Sequence, residues 1–254
     1  MHPIILQFGS ITIYSYGVMV ALGFGLAALL VYRRAPSFGI DRDKVMDLAI
    51  LILVSGIIGA RVFYILLNYK YYMADPLEML NLSKGGLVWY GGFIASLAAL
   101  IVYIARKSLD FWAVADLLAP YLALAQSFGR IGCFLNGCCY GAITSAANPF
   151  AICFPAEVAL RQPSQLYSAL VLFLIFVVLR LWQDTKHLTG EIFLAYCLLY
   201  SAKRFAMEFY RGDNPRIVFG LTISQGISVL IFALSLLLFI YKGIEWQKKR
   251  SASK

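Results

Sequence analysis

Residues 14–32 read YSYGVMVALGFGLAALLVY and contain no Asp, Glu, Lys or Arg. A helix needs roughly 20 apolar residues to cross a bilayer core of about 30 Å. The whole chain has 254 residues, of which 61% are hydrophobic and 14% charged, whereas soluble domains carry about 25% charged residues. This stretch therefore predicts a transmembrane helix, in a protein whose surface must be covered largely by lipid.

Similar apolar runs recur along the chain. A membrane β-barrel would show alternating segments of about ten residues, and runs such as Val171–Leu181 do not alternate. We therefore expect an all-α integral membrane protein, with one domain over residues 1–254 and two longer outer connections, 68–86 and 137–163, that form arms or a cap. The predicted helices cover Tyr14–Tyr32, Val45–Leu67, Leu87–Ala105, Phe111–Phe128, Gln165–Trp182, Glu191–Phe209 and Leu221–Tyr241.

The distribution of basic residues predicts the orientation. Thirteen of the 22 basic residues follow odd-numbered helices, and such an excess marks the cytoplasmic side, so we expect the N-terminus outside and the C-terminus in the cytoplasm. The N-terminus lacks the basic leading region of a cleavable signal peptide. Anionic lipid headgroups, rather than nucleic acid, are the expected partners of the net charge of +9. The thirteen are Arg33, Arg34, Arg42, Lys44, Arg106, Lys107, Arg180, Lys186, Lys242, Lys248, Lys249, Arg250 and Lys254.

A second set of charges falls within or beside the predicted helices. Charges at membrane depth are costly and usually face a bundle interior or an aqueous cavity. The acidic candidates for pairing are Asp116 and Glu208, so cations outnumber acids, which favours a site for an anionic ligand; buried ion pairs without further function remain the alternative. The cations are Arg61, Arg130, Lys203 and Arg204.

The segment GRIGCFLNGCCYG, residues 129–141, contains four glycines in 13 residues. Such glycine density predicts backbone that bends or approaches another group closely, and irregular backbone in a bilayer must be buried in protein or line a cavity. An arginine beside exposed backbone N–H groups is suited to phosphate, which makes Arg130 a candidate. Plain helix packing by the glycines is the alternative.

Two further clusters are predicted at the outer ends of helices. In residues 200–211, YSAKRFAMEFYR, Arg204 and Glu208 are four residues apart and share a helix face, and Arg211 follows three residues later. Residues 85–92, GGLVWYGG, place Trp89 and Tyr90 between paired glycines. An interfacial belt of arginine and aromatic side chains is the alternative for both clusters.

These segments together resemble the prolipoprotein diacylglyceryl transferase family. The resemblance rests on YSYGVMVALGF at 14–24, GARVFYILLNYKYYMADP at 59–76, GGLVWYGG at 85–92, GRIGCFLNGCCYG at 129–141, QPSQLY at 162–167 and KRFAMEFYRGD at 203–213, all in order. It implies a seven-helix protein of the bacterial cytoplasmic membrane. It also implies transfer of the diacylglyceryl group of phosphatidylglycerol to the lipobox cysteine of lipoprotein precursors, with release of glycerol phosphate.

The resemblance also implies site residues. Arg130 and Arg204 are expected to contact the lipid phosphate, with further substrate contacts at or beside Tyr16, Arg61, Asn136, Gly141, Tyr200, Glu208 and Arg211. Three positions depart from the family pattern: Tyr90 replaces a histidine often proposed as general base, Cys133 and Cys138 replace Asn and Glu, and Gln162 replaces a second histidine. These departures mark a branch of the family and leave open a paralogue with another acceptor.

A mechanism without a histidine base follows from the sequence. His2 and His187 are the only histidines, and the predicted topology places neither at an outer-leaflet site. A thiol with a pKa near 8.5 is a few per cent thiolate at neutral pH. Arg130 and Arg204 are therefore expected to stabilise the thiolate and the departing phosphate oxygen, while Tyr90 orients the thiol. No metal or organic cofactor is implied.

Other functions are compatible with parts of the sequence. A membrane thiol oxidoreductase is a rival because four cysteines fall on the outer side, yet none of them forms the Cys-x-x-Cys pair expected of such enzymes. A structural disulfide involving Cys153, or cysteines that only pack, is the simpler interpretation, and zinc is not expected because no His or acidic ligand completes a tetrahedral set. A transporter is disfavoured because no inverted repeat is evident.

Overall fold

The structure is a computed structural model that describes residues 1–8, 11–80, 85–154, 159–185, 187–211, 216–218 and 220–252. Lys186 and Lys254, which entered the orientation argument, lie outside these ranges. So do residues 81–84 and 155–158, within the two long outer connections. The side chains of Lys248, Lys249 and Arg250 are not described.

All seven predicted helices are present, together with one short additional helix. Six of the long helices are long and apolar enough to cross a membrane, and the chain is a multi-pass α-helical membrane protein. The exception is α7, which has 17 residues and continues into a 3-10 turn over Glu208–Tyr210. The helices are α1 Ser15–Arg34, α2 Arg42–Leu67, the short α3 Tyr69–Ala74, α4 Trp89–Arg106, α5 Phe111–Asn136, α6 Ser164–Trp182, α7 Glu191–Met207 and α8 Ile223–Ala252.

Two helix ends differ clearly from the sequence prediction. Helix α5 continues to Asn136 instead of ending at Phe128, so the prediction of irregular backbone from residue 129 was wrong as far as Asn136. The reason is packing, since Gly132 lies against α1, where an added Cβ would come within 3.1 Å of the Met19 Cβ. Helix α8 continues eleven residues beyond Tyr241, because the lysine- and glutamine-containing segment that follows has good helix formers and no proline.

Short antiparallel hairpins connect some of the helices. Strands β1, Ile4–Phe8, and β2, Ile11–Tyr14, precede α1. Strands β3, Ile152–Cys153, and β4, Leu160–Arg161, belong to the connection between α5 and α6. Strands β5, Arg216–Val218, and β6, Leu221–Thr222, lead into α8.

The helices form two compact units, one of Met1–Leu30 with Ala115–Lys254 and one of Val31–Val114. The first unit has a core in which small alanines of α5 let α6 and α7 approach closely, as is typical of membrane helices. This core consists of Ala119, Ala123, Ile175, Leu179, Ile192, Ala195 and Tyr196. The expectation of a single domain over residues 1–254 stays a prediction.

Asp116 caps a helix instead of pairing with a membrane cation. Its carboxylate accepts hydrogen bonds from the backbone N–H groups of Gly190 and Phe193, the latter at 2.8 Å. These groups belong to the start of α7, where unpaired N–H groups and the helix dipole favour a negative charge. The interpretation of Asp116 as a counter-ion for an arginine is therefore corrected, and Glu208 is left as the acidic residue near the candidate site.

The second unit is built on close contact between α2 and α4. A Cβ added at Gly59 would lie 2.5 Å from the Gly91 carbonyl oxygen, and one at Gly92 would lie 3.0 Å from the Gly56 oxygen. Ser96 adds a hydrogen bond from its hydroxyl to the Ile52 carbonyl at 3.0 Å. Glycines facing one another allow two helix backbones to approach more closely than any larger residue permits.

Candidate functional site

A narrow cavity in the first unit collects cationic side chains from three segments. We call it the cation cavity. Helix α5 contributes Arg130 and α6 contributes two serines from its first turns, whereas α7 and the turn after it contribute the remaining residues. The lining consists of Arg130, Ser164, Ser168, Lys203, Arg204, Met207 and Arg211.

Arg204 is held in place by a chain of polar contacts. Its guanidinium pairs with the Glu208 carboxylate, one helical turn away, and donates a second hydrogen bond to the Ser224 hydroxyl at 2.7 Å. Glu208 is buried, and its other oxygen accepts a hydrogen bond from the Thr222 hydroxyl at 2.8 Å. Each charged group in the chain thus has a partner, as buried charges require, and the guanidinium has a defined orientation.

The described residues that line the cation cavity include four cations and no carboxylate. The cations are three arginines and Lys203, and the buried Glu208 pairs with one of them, Arg204. The ammonium of Lys203 lies 5.7 Å from the centre of the Tyr200 ring and forms no ion pair with a described carboxylate. Because little water reaches such a buried position, the positive charge of the cavity favours binding of an anionic ligand.

Lys203 was predicted as one of the cations at membrane depth but not as a site residue. Its side chain is 7% exposed and lies in the same cavity as Arg130 and Arg204. Its spacing of three residues from Tyr200 and four from Met207 places these residues on one helix face, which was the available signal. Ser164 and Ser168 were missed as well, although their spacing of four also places them on one face.

Three cysteines converge where α5 ends. The helix closes in a Schellman arrangement, in which Cys138 N–H donates to the Cys133 carbonyl and Gly137 N–H to the Phe134 carbonyl, both at 3.1 Å. Gly137 has a φ of +72° and Cys139 of +60°. These turns bring the Sγ atoms of Cys133, Cys138 and Cys139 within 4.8 Å of one another. We call this group the thiol cluster.

The thiol cluster is hydrogen-bonded to the start of α6, beside the cation cavity. The Ser164 hydroxyl donates to the Cys139 carbonyl at 3.1 Å, and the Gln165 amide donates to the Cys138 carbonyl at 2.7 Å. Hydrogen bonds from the Cys133 and Cys139 thiols lower the pKa of Cys138 below its ordinary value, and the charge of Arg130 acts in the same direction. Because Ser164 also lines the cation cavity, the thiol cluster and the cavity are adjacent and have this residue in common.

Comparison with known proteins identifies the family of this chain. The family model for prolipoprotein diacylglyceryl transferase matches residues 3–241. A phosphatidylglycerol–prolipoprotein diacylglyceryl transferase of Clostridium tetani is 35% identical over 247 residues, which cover 94% of this chain and 97% of that protein. One of Listeria innocua is 33% identical over 254 residues, covering 96% and 91% of the two chains.

The chain belongs to the prolipoprotein diacylglyceryl transferase family. A third relative, phosphatidylglycerol–prolipoprotein diacylglyceryl transferase 2 of Clostridium perfringens, is 34% identical over 98% of both chains. The sequence-based resemblance to the prolipoprotein diacylglyceryl transferase family is therefore confirmed. The roles of individual site residues in this member of the family stay predictions.

The structure brings several of the predicted site residues together in the first unit. Arg130, Arg204 and Arg211 line the cation cavity, and Glu208 holds Arg204. Tyr200 stacks on Tyr196 with ring centres 5.7 Å apart and lies beneath the Lys203 ammonium. These predicted residues therefore form one neighbourhood around the excess of positive charge.

Three other predicted residues of the first unit lie on α1 or around the end of α5. Tyr16 packs against α5, where a Cβ added at Gly132 would lie 3.2 Å from its ring. Asn136 is the last residue of α5, two residues before Cys138. Gly141 donates its N–H to the Gln162 carbonyl at 2.9 Å, and any side chain there would collide with the Tyr210 carbonyl oxygen.

Two predicted site residues belong to the second unit. Tyr90 is 68% exposed and packs edge-on against Trp89. Arg61 is buried, and its guanidinium donates to the carbonyls of Glu78, Met79, Gly85 and Gly86 at 2.7 to 3.2 Å. Arg61 thus holds the connection before α4, which is a structural role that its spacing did not predict, and its contact with substrate stays a prediction.

Of the two structural alternatives for the cysteines, the disulfide involving Cys153 is not present in the structure. None of the five cysteines, all of which are described, forms a disulfide bond. Cys153 belongs to strand β3 and lies outside the thiol cluster. The three cysteines that do meet are brought together by the turn after α5.

Proposed function

We propose that this chain transfers the diacylglyceryl group of phosphatidylglycerol to the thiol of the lipobox cysteine in lipoprotein precursors. The reaction releases glycerol phosphate and attaches the precursor to the membrane. It takes place at the outer face of the bacterial cytoplasmic membrane, with the N-terminus outside. The names and lengths of the similar transferases support the reaction class.

The observation that carries the proposal is the excess of positive charge in the cation cavity. Four cationic side chains and no carboxylate are among the described residues that line it, and Glu208 pairs with one of the four, Arg204. A phosphodiester carries one negative charge and offers several oxygens to forked guanidinium donors. Its departure as a phosphate monoester leaves a second negative charge, so the same arginines stabilise the transition state more than the bound lipid.

The chemistry balances without an oxidant or an acylating agent. The acceptor sulfur, as thiolate, attacks the glycerol carbon next to the phosphate and forms a C–S bond. The C–O bond to phosphate breaks, and its electron pair stays on the phosphate oxygen facing Arg130 and Arg204. The thiol proton leaves to solvent before attack, and Tyr90 is proposed to orient the sulfur by hydrogen bonding.

Purified protein in vesicles containing phosphatidylglycerol tests the proposal directly. With a lipobox peptide, we expect a thioether-linked diacylglyceryl product detectable by mass spectrometry. Replacing Arg130 or Arg204 by Ala is expected to lower the rate on the order of 100-fold, the usual effect of losing a donor to a developing oxyanion. Arg180→Ala is the matched control, because Arg180 pairs with Asp184 at the end of α6 and does not line the cavity.

A paralogue with another acceptor is the second candidate function, favoured by Tyr90 in place of the expected histidine. A peptide with serine in place of the lipobox cysteine separates the two candidates. Transfer to the cysteine peptide alone supports the proposal. Lipid transfer to neither peptide by folded protein, together with normal phosphatidylglycerol binding, would support a different acceptor.

A further inference from the structure

The thiol cluster has the composition of a metal site with one open position. Three Sγ atoms lie within 4.8 Å of one another, two on half-buried residues and one on the exposed Cys139. In a tetrahedral zinc site with Zn–S bonds of about 2.3 Å, sulfurs lie about 3.8 Å apart. The three sulfurs are therefore close to the spacing that one Zn²⁺ ion requires, and the exposed Cys139 lies on the side toward solvent.

Three protein ligands and a free position are the pattern of catalytic zinc, whereas structural zinc sites use four protein ligands. Zinc was not expected from the sequence because no histidine or acidic residue completes a set of four ligands. A fourth protein ligand is unnecessary if a group of the substrate fills the open position. Thiolate ligands also favour soft or borderline ions such as zinc over magnesium or calcium.

The thiol cluster lies beside the cation cavity, which the proposed function assigns to the lipid phosphate. Cys133 follows Arg130 by three residues on α5 and thus shares its helix face. Ser164 donates to the Cys139 carbonyl and also lines the cation cavity. A sulfur held at the cluster would therefore stand beside the arginines that are proposed to receive the departing phosphate.

We propose that Cys133, Cys138 and Cys139 bind Zn²⁺, and that the acceptor thiolate of the precursor occupies the fourth position. This inference rests on the proposed function. Zinc would convert the acceptor thiol of that reaction into the attacking thiolate. Coordination removes the thiol proton to solvent. The sulfur then forms the C–S bond as the C–O bond to phosphate breaks, with the electron pair going to the phosphate oxygen and the metal unchanged in oxidation state.

Zinc at this position accounts for activation of a thiol without an imidazole base. Neither histidine of the chain is among the residues that line the cation cavity. His187 lies two residues after Thr185, with which it forms a hydrogen bond, just before α7, whereas Lys203 and Arg204 lie near the other end of that helix. Metal coordination is an established way to activate a weak nucleophile.

Metal content tests the site independently of activity. Protein purified from zinc-supplemented cells without chelators is expected to hold about one zinc per chain by elemental analysis. Cys133→Ser, Cys138→Ser and Cys139→Ser are each expected to lose most of it, whereas the control Cys153→Ser keeps it. Cobalt exchanged into the wild-type protein should show thiolate-to-cobalt charge transfer, and this band should be absent from the three variants.

Removal and return of the metal test its role in the wild-type protein, which avoids variants that fail to fold. A thiophilic chelator is expected to lower transfer to the lipobox peptide about 30-fold at pH 7, the factor by which a thiol of pKa near 8.5 exceeds its own thiolate, and zinc should restore the rate. The remaining rate should rise about tenfold per pH unit up to pH 8, while the rate of the zinc-loaded protein changes little.

Three results would overturn the zinc site: full transfer by wild-type protein that contains no zinc, retention of zinc by the Cys138→Ser variant, or a disulfide within the cluster in active protein isolated without reductant. Zinc bound at the cluster in a protein that transfers no lipid would instead contradict the proposed function and leave the metal site standing. The two proposals therefore fail in different measurements.

Discussion

The Glu208 carboxylate links Thr222 to Arg204. One of its oxygens accepts a hydrogen bond from the Thr222 hydroxyl at 2.8 Å, and the other pairs with the Arg204 guanidinium. The contact links the end of α7 to the start of α8. The carboxylate therefore lies beside the cation cavity without lining it. Glu208 orients Arg204, and the arginine's remaining donors are directed to Ser224 and the cavity.

The orientation of Arg204 predicts that lysine cannot replace it. A lysine ammonium is a point charge without the planar fork that pairs with Glu208 and reaches Ser224 together. We expect Arg204→Lys to lower kcat for transfer about 100-fold with little change in the melting temperature. In a double-mutant cycle with Glu208→Gln, the two losses should be far from additive, and additive losses would show that Glu208 does not act through Arg204.

Lys203 is predicted to bind lipid phosphate at a cost in stability. Replacing it by Met keeps the apolar stem but removes a buried cation that has no carboxylate partner in the described chain. We expect KM for phosphatidylglycerol to rise about tenfold, corresponding to roughly 1.4 kcal/mol, while the melting temperature stays the same or rises because a buried charge is removed. Lys203→Arg is the control that keeps the charge. A lower melting temperature with unchanged KM would mean that Lys203 only supports the fold.

The contact between α2 and α4 predicts a sharp difference between two glycines. Gly59→Ala would place a Cβ 2.5 Å from the Gly91 carbonyl oxygen, forcing the helices apart at a cost of about 1–3 kcal/mol. Gly25→Ala is the matched control on α1, since nothing lies within 4 Å of its added Cβ, and alanine is the better helix former. Thermal unfolding in detergent should show a lower melting temperature for the first variant and an equal or higher one for the second.

We predict that Arg61 stabilises the fold and does not contribute to substrate binding. Arg61→Met would leave carbonyls of residues 78–86 without their donors, at about 1–3 kcal/mol for each that stays buried. We expect a lower melting temperature and faster proteolysis in this connection, with KM for phosphatidylglycerol unchanged in the fraction that remains folded. A stable variant with a strongly raised KM would instead support the substrate contact predicted from the sequence.

The sequence was sufficient wherever the deciding interaction is local. Charge-free apolar runs such as residues 14–32 identify helices that must lie in lipid, because the energy of each span depends on its own residues. The spacing of Arg204 and Glu208 predicted their ion pair for the same reason, since residues four apart meet on any helix. The order of the motifs was enough to recognise the family.

Only the tertiary structure decided what these elements bring together. Arg61 finds its carbonyl partners 17 to 25 residues away, Gly132 packs inside a helix where a break was expected, and Lys203 joins Arg130 from another helix. The three thiols meet because a turn after α5 is pinned by Ser164 and Gln165, which lie more than twenty residues further along the chain. Such contacts depend on how separate helices pack, and no residue spacing within one helix determines that.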